Sequence, residues 1–166
     1  GITLERRHKV KAALASYAQA MTLKSNFYEA RVNFGRAIGK LTFDKSDRAL
    51  YPALSSVLAT GNFVRPSDIA GSVISLLKCD PAIKDLMDRE NTPLSLIGAK
   101  SIVENLDELA ILYQFMRVCP LPDLQAEKLF VTLRASILRN LDYIEPSSTV
   151  INFLSTLSQQ CFINEY

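Results

Sequence analysis

Val10-Lys11-Ala12-Ala13-Leu14-Ala15-Ser16-Tyr17-Ala18-Gln19-Ala20-Met21 and, beyond Lys24-Ser25-Asn26-Phe27, Tyr28-Glu29-Ala30-Arg31-Val32-Asn33-Phe34-Gly35-Arg36-Ala37-Ile38 decide the fold of this chain. In the first stretch Val10, Ala13, Leu14, Tyr17, Ala20 and Met21 recur at spacings of three and four, and no Gly or Pro interrupts Leu4 to Lys24. Those residues therefore share one face of an amphipathic helix. In the second, Ala30, Phe34, Ala37, Ile38 and Leu41 repeat the pattern over Tyr28 to Leu41. The polar break at 24–27 is short, so the two helices pack as an antiparallel hairpin.

Outward from that hairpin the pattern stays helical. Thr42 to Asp47 is polar and reads as a loop, and Arg48 to Thr60 carries Leu50, Ala53, Leu54, Val57 and Leu58, a helical stripe in which Pro52 must lie near the first turn or kink the helix. Gly61-Asn62 ends that helix, and Ser67 caps the next, whose Ile69, Val73, Leu76 and Leu77 face the core. Asp80-Pro81 opens a short helix from Ala82 to Met87. Asn91-Thr92-Pro93 is a boundary, after which a short helix and a longer one from about Ile102 to Val118 are expected. Pro120-Leu121-Pro122-Asp123 stops and restarts the chain. Leu124 to Leu141 then bears Ala126, Leu129, Phe130, Leu133, Ile137 and Leu141. A last helix runs from Val150 to about Phe162, capped at Pro146-Ser147-Ser148, with Ile151, Leu154, Leu157 and Cys161 on its apolar face. No stretch alternates in polarity between hairpin turns, so an all-α fold without a sheet is predicted.

The chain has 166 residues, 48% of them hydrophobic and 22% charged, enough for a self-sufficient core and incompatible with global disorder. Mean hydropathy is +0.10. A net charge of +2 is too weak to argue for nucleic acid or an anionic membrane, and neither is expected as a partner. The apolar run Leu109 to Phe115 falls far short of the roughly 20 residues of a bilayer span. Cys79, Cys119 and Cys161 fit neither a disulfide framework nor a metal-binding spacing, and read as reduced, partly buried thiols of a cytoplasmic protein. The start at Gly1-Ile2-Thr3 and the apolar end at Phe162 to Tyr166 lead us to expect a fragment of a larger protein.

Ala13, Tyr17 and Ala20 stand at the A-x3-[FY]-x2-A spacing of a tetratricopeptide second helix, with Ser25 at the usual Pro position. Asn26 to Ile38 resembles the first helix of the following repeat, Phe34-Gly35 lying at its Leu-Gly pair. The resemblance covers Val10 to Leu41. It ends where Asp47 and Leu54 replace the expected alanines around Tyr51. Further on, Leu50-Tyr51-Pro52-Ala53-Leu54, Val64-Arg65-Pro66-Ser67-Asp68-Ile69-Ala70, Leu76-Leu77-Lys78-Cys79-Asp80-Pro81, Glu127 to Arg134 and Gln159 to Tyr166 resemble the helical region between the repeats and the catalytic domain of bacterial tetratricopeptide-containing S-adenosylmethionine-dependent methyltransferases. The resemblance implies a right-handed α-α superhelical region at 1–46 continuing into an irregular helical bundle and linker at 47–166. It also implies a protein or peptide partner, held at the exposed first-helix positions Asn33, Arg36 and Ile38 with neighbouring Lys40.

Little in the residues points to chemistry. A Rossmann-like methyl-donor site needs a strand and a Gly-rich turn, and the six glycines are scattered singly; Gly35 and Gly39 lie four apart inside a helix, where they serve packing. His8 is the sole histidine, in the basic run Arg6-Arg7-His8-Lys9, so no triad or metal site can be assembled. Asp107-Glu108 and the group Asp85, Asp88 and Glu90 fit capping and solubility better than acid–base work. The expectation is an interaction and scaffolding module, not itself an enzyme and without cofactor or metal, which positions a downstream methyltransferase. The alternatives are a freestanding adaptor, or the substrate-recognition cap of a methyl- or glycosyltransferase.

Overall fold

The computed structural model describes residues 2–61, 64–87, 95–144 and 147–163, with side chains at 9–61, 64–84, 87, 95, 98–144 and 147–160. Among these the fold is all-α: nine helices, two 3₁₀ turns and no strand. The first, α1 (Ile2–Leu23), is joined through a tight turn to α2 (Tyr28–Ile38). Lys24 N–H closes α1 onto Ala20 O at 3.0 Å, and Phe27 N–H closes the turn onto Lys24 O at 3.0 Å. The second helix stops at Ile38, earlier than the apolar pattern implies, because Gly39 to Leu41 form a turn that swings Leu41 and Phe43 into the core. Phe43 is fixed there by its N–H donating to Ser75 Oγ at 3.1 Å.

A 3₁₀ turn at Arg48–Leu50 leads into α3 (Tyr51–Thr60). Pro52 sits in its first turn, where a missing N–H leaves no bond unmade, and Gly61 ends it at φ 52°, the left-handed region that glycine enters without cost. In α4 (Pro66–Lys78) it is Pro66, not a capping Ser67, that starts the helix: Arg65 is the extended N-cap residue, and Ser67 already lies in the first turn. Asp80 Oδ1 accepts from Ala82 N–H at 3.2 Å and so caps α5 (Pro81–Met87). The boundary at Asn91-Thr92-Pro93 lies outside the described residues.

Beyond it, the expected long helix from Ile102 to Val118 is two helices, α6 (Leu96–Asp107) and α7 (Ala110–Val118). Leu109 leaves helical geometry at φ −98°, ψ 66°, which buries Leu106, Leu109 and Leu112 together across the break. In α8 (Leu124–Arg139), Asp123 caps the first turn by accepting from Ala126 N–H at 2.9 Å. Ala126, Leu129, Phe130, Leu133 and Ile137 are buried as the spacing predicts, whereas Leu141, beyond the helix end, is exposed. Ser147 Oγ accepts from Val150 N–H at 3.2 Å and starts α9 (Ser148–Ile163).

The buried face of α9 is Val150, Phe153, Thr156, Leu157 and Gln160. Ile151, predicted inside, is 55% exposed, and Leu154 is half-buried. Phe153 decides the rotation, because its ring fills the space beside Tyr113 and Phe130, with centroids 6.4 and 6.1 Å away.

One apolar cluster runs through the described residues from Leu14 to Leu157. The α1–α2 hairpin lies on α3, α2 meets α4, α3 meets α7, and α9 covers α6 and α7. Gly35 permits the approach of the segment before α4: a Cβ there would stand 2.9 Å from Val64 Cγ1. At Gly39 a Cβ would reach 3.1 Å from Asp68 O. Gly35 thus makes room for the Val64 side chain and Gly39 for the α4 backbone, the packing role their spacing suggests.

Candidate functional site

The register of the hairpin assembles the site. Because α1 and α2 run antiparallel, Lys9 and Val10 come beside Lys40 and Arg36, while Ala13 and Tyr17 come beside Ala37 and Asn33. These eight residues line a groove of about 370 Å³ along the hairpin. Asn33, Arg36 and Lys40 are thereby brought together, on one wall. Ile38 is not among them: it is fully buried, since a residue two positions from Arg36 on a helix points to the opposite side. On the other wall, Val10, Ala13 and Tyr17 belong to the packing stripe that the sequence shows, and Lys9 to the basic run before it. The exposure of that wall follows from the α1–α2 register, which spacing within one helix does not report.

Chemically the groove is uneven. Val10, Ala13, Tyr17 and Ala37 make an apolar floor, with alanines where a guest chain can come close. The cations Lys9, Arg36 and Lys40 gather at one end, and among the described residues no acidic side chain lines the groove. Arg36 and Lys40 are at the C-terminal end of α2, where the helix dipole favours positive charge. On a helix 11 residues long, about 16 Å, the groove accommodates about five residues of extended peptide.

The polar groups elsewhere are fastened into the scaffold. Asp80, with no exposed surface, accepts from Arg48 Nε and Nη2 at 2.7 Å each and from Tyr51 OH at 2.9 Å. Burial alone would push its carboxyl up, but the Arg48 and Tyr51 bonds outweigh that and hold it below its ordinary value. Burial and the same carboxylate push the Tyr51 phenol up. Asp123 is likewise held down against its burial by Lys78, 2.8 Å away, and by the Ala126 amide. Asp107 caps nothing in its own helix and instead accepts from Asn152 Nδ2 at 2.8 Å and Thr149 Oγ1 at 3.3 Å, tying α6 to α9. Gln160 donates to Met116 O and Cys119 O and accepts from Leu121 N–H at 3.2 Å. Each network is satisfied by protein partners, which is the behaviour of structural cross-links.

Two buried polar atoms lack a partner among the described residues, Arg31 Nε and Tyr113 OH. Burial, with Asp107 adding to it, pushes the Tyr113 phenol up, so it stays neutral. Cys79 and Cys119 are free thiols. Cys79 donates to Phe43 O at 3.5 Å, and burial raises the Cys119 thiol, the opposite of what a nucleophile needs. The side chains of His8, Asp85, Asp88, Glu90 and Cys161 lie outside the described residues. Among those described, no group of His, Cys, Asp and Glu could hold a metal ion, and no helix is long and apolar enough to cross a membrane. No protein-family model, no curated protein and no solved structure matches this chain.

Proposed function

We propose that this chain is a tetratricopeptide-type protein-interaction and scaffolding module, non-catalytic by itself, which holds a peptide segment of a partner in the α1–α2 groove. One observation carries the reading. The hairpin register places Asn33, Arg36 and Lys40 on one wall and Lys9, Val10, Ala13 and Tyr17 on the other, as a slot of about 370 Å³. Peptide recognition needs an apolar floor for side chains and a few polar groups that fix direction, and this slot supplies both. The helices that follow form the platform through which the module positions a downstream domain, an S-adenosylmethionine-dependent methyltransferase in the reading that the sequence resemblance favours. The free thiols of Cys79 and Cys119 support a cytoplasmic setting.

Selection of a displayed random peptide library on this chain, repeated on the R36E/K40E variant, tests the reading. Enrichment of a peptide class that the variant no longer retains is the expected result. Enrichment that the variant retains in full, or no enrichment, overturns the groove as the binding site. Calorimetric titration of S-adenosylmethionine into the chain is expected to give no binding heat, and saturable binding would overturn the non-catalytic assignment.

A further inference from the structure

Charge is unevenly divided along the chain, and the division falls at the hairpin. Residues 1–43 hold eight of the 19 Lys and Arg but only two of the 17 Asp and Glu, so the net +2 of the chain splits into +6 here and −4 in the rest. The hairpin is thus a basic unit on an acidic platform, a pattern that the whole-chain charge conceals. Its cations differ in what they do. Arg31 donates to Ser25 O at 2.6 Å, and Lys9 has an interaction of its own within the chain. On the platform, Arg48 and Lys78 are held by Asp80 and Asp123 at 2.7 and 2.8 Å. Arg36 and Lys40, both exposed, have no hydrogen-bond or ion-pair partner among the described residues. They stand four positions apart on the α2 wall of the groove, where like charges repel. An anion seated between them relieves that repulsion.

We infer that the α1–α2 groove takes an internal acidic segment of a partner protein, with Asp or Glu side chains against Arg36 and Lys40 and small aliphatic side chains over Val10, Ala13 and Ala37. The inference rests on the reading of this groove as a peptide site and names the class of peptide. Charge complementarity carries it: an apolar floor takes the aliphatic side chains, and the carboxylates fall at the one end where unpartnered cations wait. Capture of a chain end would need unused backbone N–H groups, and here they are already bonded. Gly39 N–H donates to Gly35 O at 3.1 Å and Lys40 N–H to Ala37 O at 3.3 Å. The ligand is therefore recognised by its side-chain carboxylates. Nucleic acid fits less well, because successive bases need successive rings to stack on, and among the described residues Tyr17 is the one aromatic side chain lining the groove.

A random peptide library embedded in a surface loop of its carrier, so that no member has a free end, is selected on the whole chain and in parallel on R36E/K40E, with circular dichroism checking that the variant stays helical. The chain is expected to enrich Asp and Glu beside aliphatic residues, and the variant to enrich Lys and Arg in the same places. By fluorescence anisotropy, a selected sequence made with an amidated C-terminus binds within about twofold of its free acid. It weakens about tenfold or more when its acidic residues become Asn and Gln, and it weakens again in high salt. Neutral or basic peptides that shift the backbone amides of Ala13 and Tyr17 would overturn this inference while leaving the groove as a peptide site. Selected peptides that leave those amides unmoved, or no enrichment at all, would overturn both. A preference of about tenfold or more for the free acid would assign the cations to a chain end, and an oligothymidylate that outcompetes the selected peptides and is lost in R36E/K40E would assign them to phosphate; either result overturns the inference.

Discussion

Exchanging the roles of two neighbouring residues on α9 gives a sharp trial of the packing described here. Phe153 is fully buried between Tyr113 and Phe130, while Ile151, two positions earlier, is more than half exposed. Truncating a buried Phe to Ala removes its transfer free energy and leaves a cavity, together about 3–5 kcal/mol. The lost aromatic pairs place F153A in the upper part of that range. Truncating an exposed Ile costs within about 0.5 kcal/mol. In urea, with a slope of about 2 kcal/mol/M, the midpoint should fall by about 2 M for F153A and by less than about 0.3 M for I151A. Since the whole domain has a stability of about 5–15 kcal/mol, F153A could fall below the threshold of folding. F153L keeps most of the volume, and its loss should still exceed that of I151A. Equal losses, or a larger one for I151A, would refute the orientation of α9 and with it the core between α7, α8 and α9.

Other consequences are as direct. Tyr113→Phe removes a buried hydroxyl without a partner among the described residues, a group whose burial costs about 1–3 kcal/mol, so urea denaturation should show unchanged or increased stability; a loss above about 1 kcal/mol would contradict it. Gln160→Leu leaves Leu121 N–H and two carbonyls unpaired and should cost about 3 kcal/mol by the same assay. Asp80 and Asp123 have folded-state pKa values below their ordinary value of 3.8, so their contribution is present above that value and is lost as pH falls through the lower folded value. Thermal melts between pH 6 and pH 2 should therefore show a steep acid loss of stability that D80N/D123N flattens, and an equally steep loss in the variant would exclude these carboxylates as its source.

The sequence reveals most where one helix decides its own environment. Leu50, Ala53, Leu54, Val57 and Leu58 on α3, and Ile69, Val73, Leu76 and Leu77 on α4, are buried as their spacing requires, because each helix offers a single apolar stripe. On α9 the sequence offers two. Ile151, Leu154 and Leu157 compete with Val150, Phe153 and Leu157, and only the pocket beside Tyr113 and Phe130, built by distant segments, selects Phe153. The split of 102–118 was hidden for a similar reason: Leu109 is an acceptable helix residue, turned out of helical geometry by tertiary packing. Asn33, Arg36 and Lys40 come from the tetratricopeptide resemblance, and their intervals of three and four agree with a shared side of α2 and the turn after it. That Lys9, Ala13 and Tyr17 form the facing wall depends on the antiparallel register, and Ile38, which spacing puts on the apolar stripe and the tetratricopeptide resemblance puts at an exposed position, is buried as its spacing requires.

The proposed function stands or falls on where a peptide binds. Backbone amide spectra of the isotopically labelled chain, recorded while a peptide from the library selection is titrated in, give that location residue by residue. Shift changes confined to one contiguous set around Lys9, Ala13, Tyr17, Asn33, Arg36 and Lys40, saturating together and absent in R36E/K40E, are the result expected of a peptide held in the α1–α2 groove. Changes clustered on α8 and α9 with the hairpin undisturbed would contradict it.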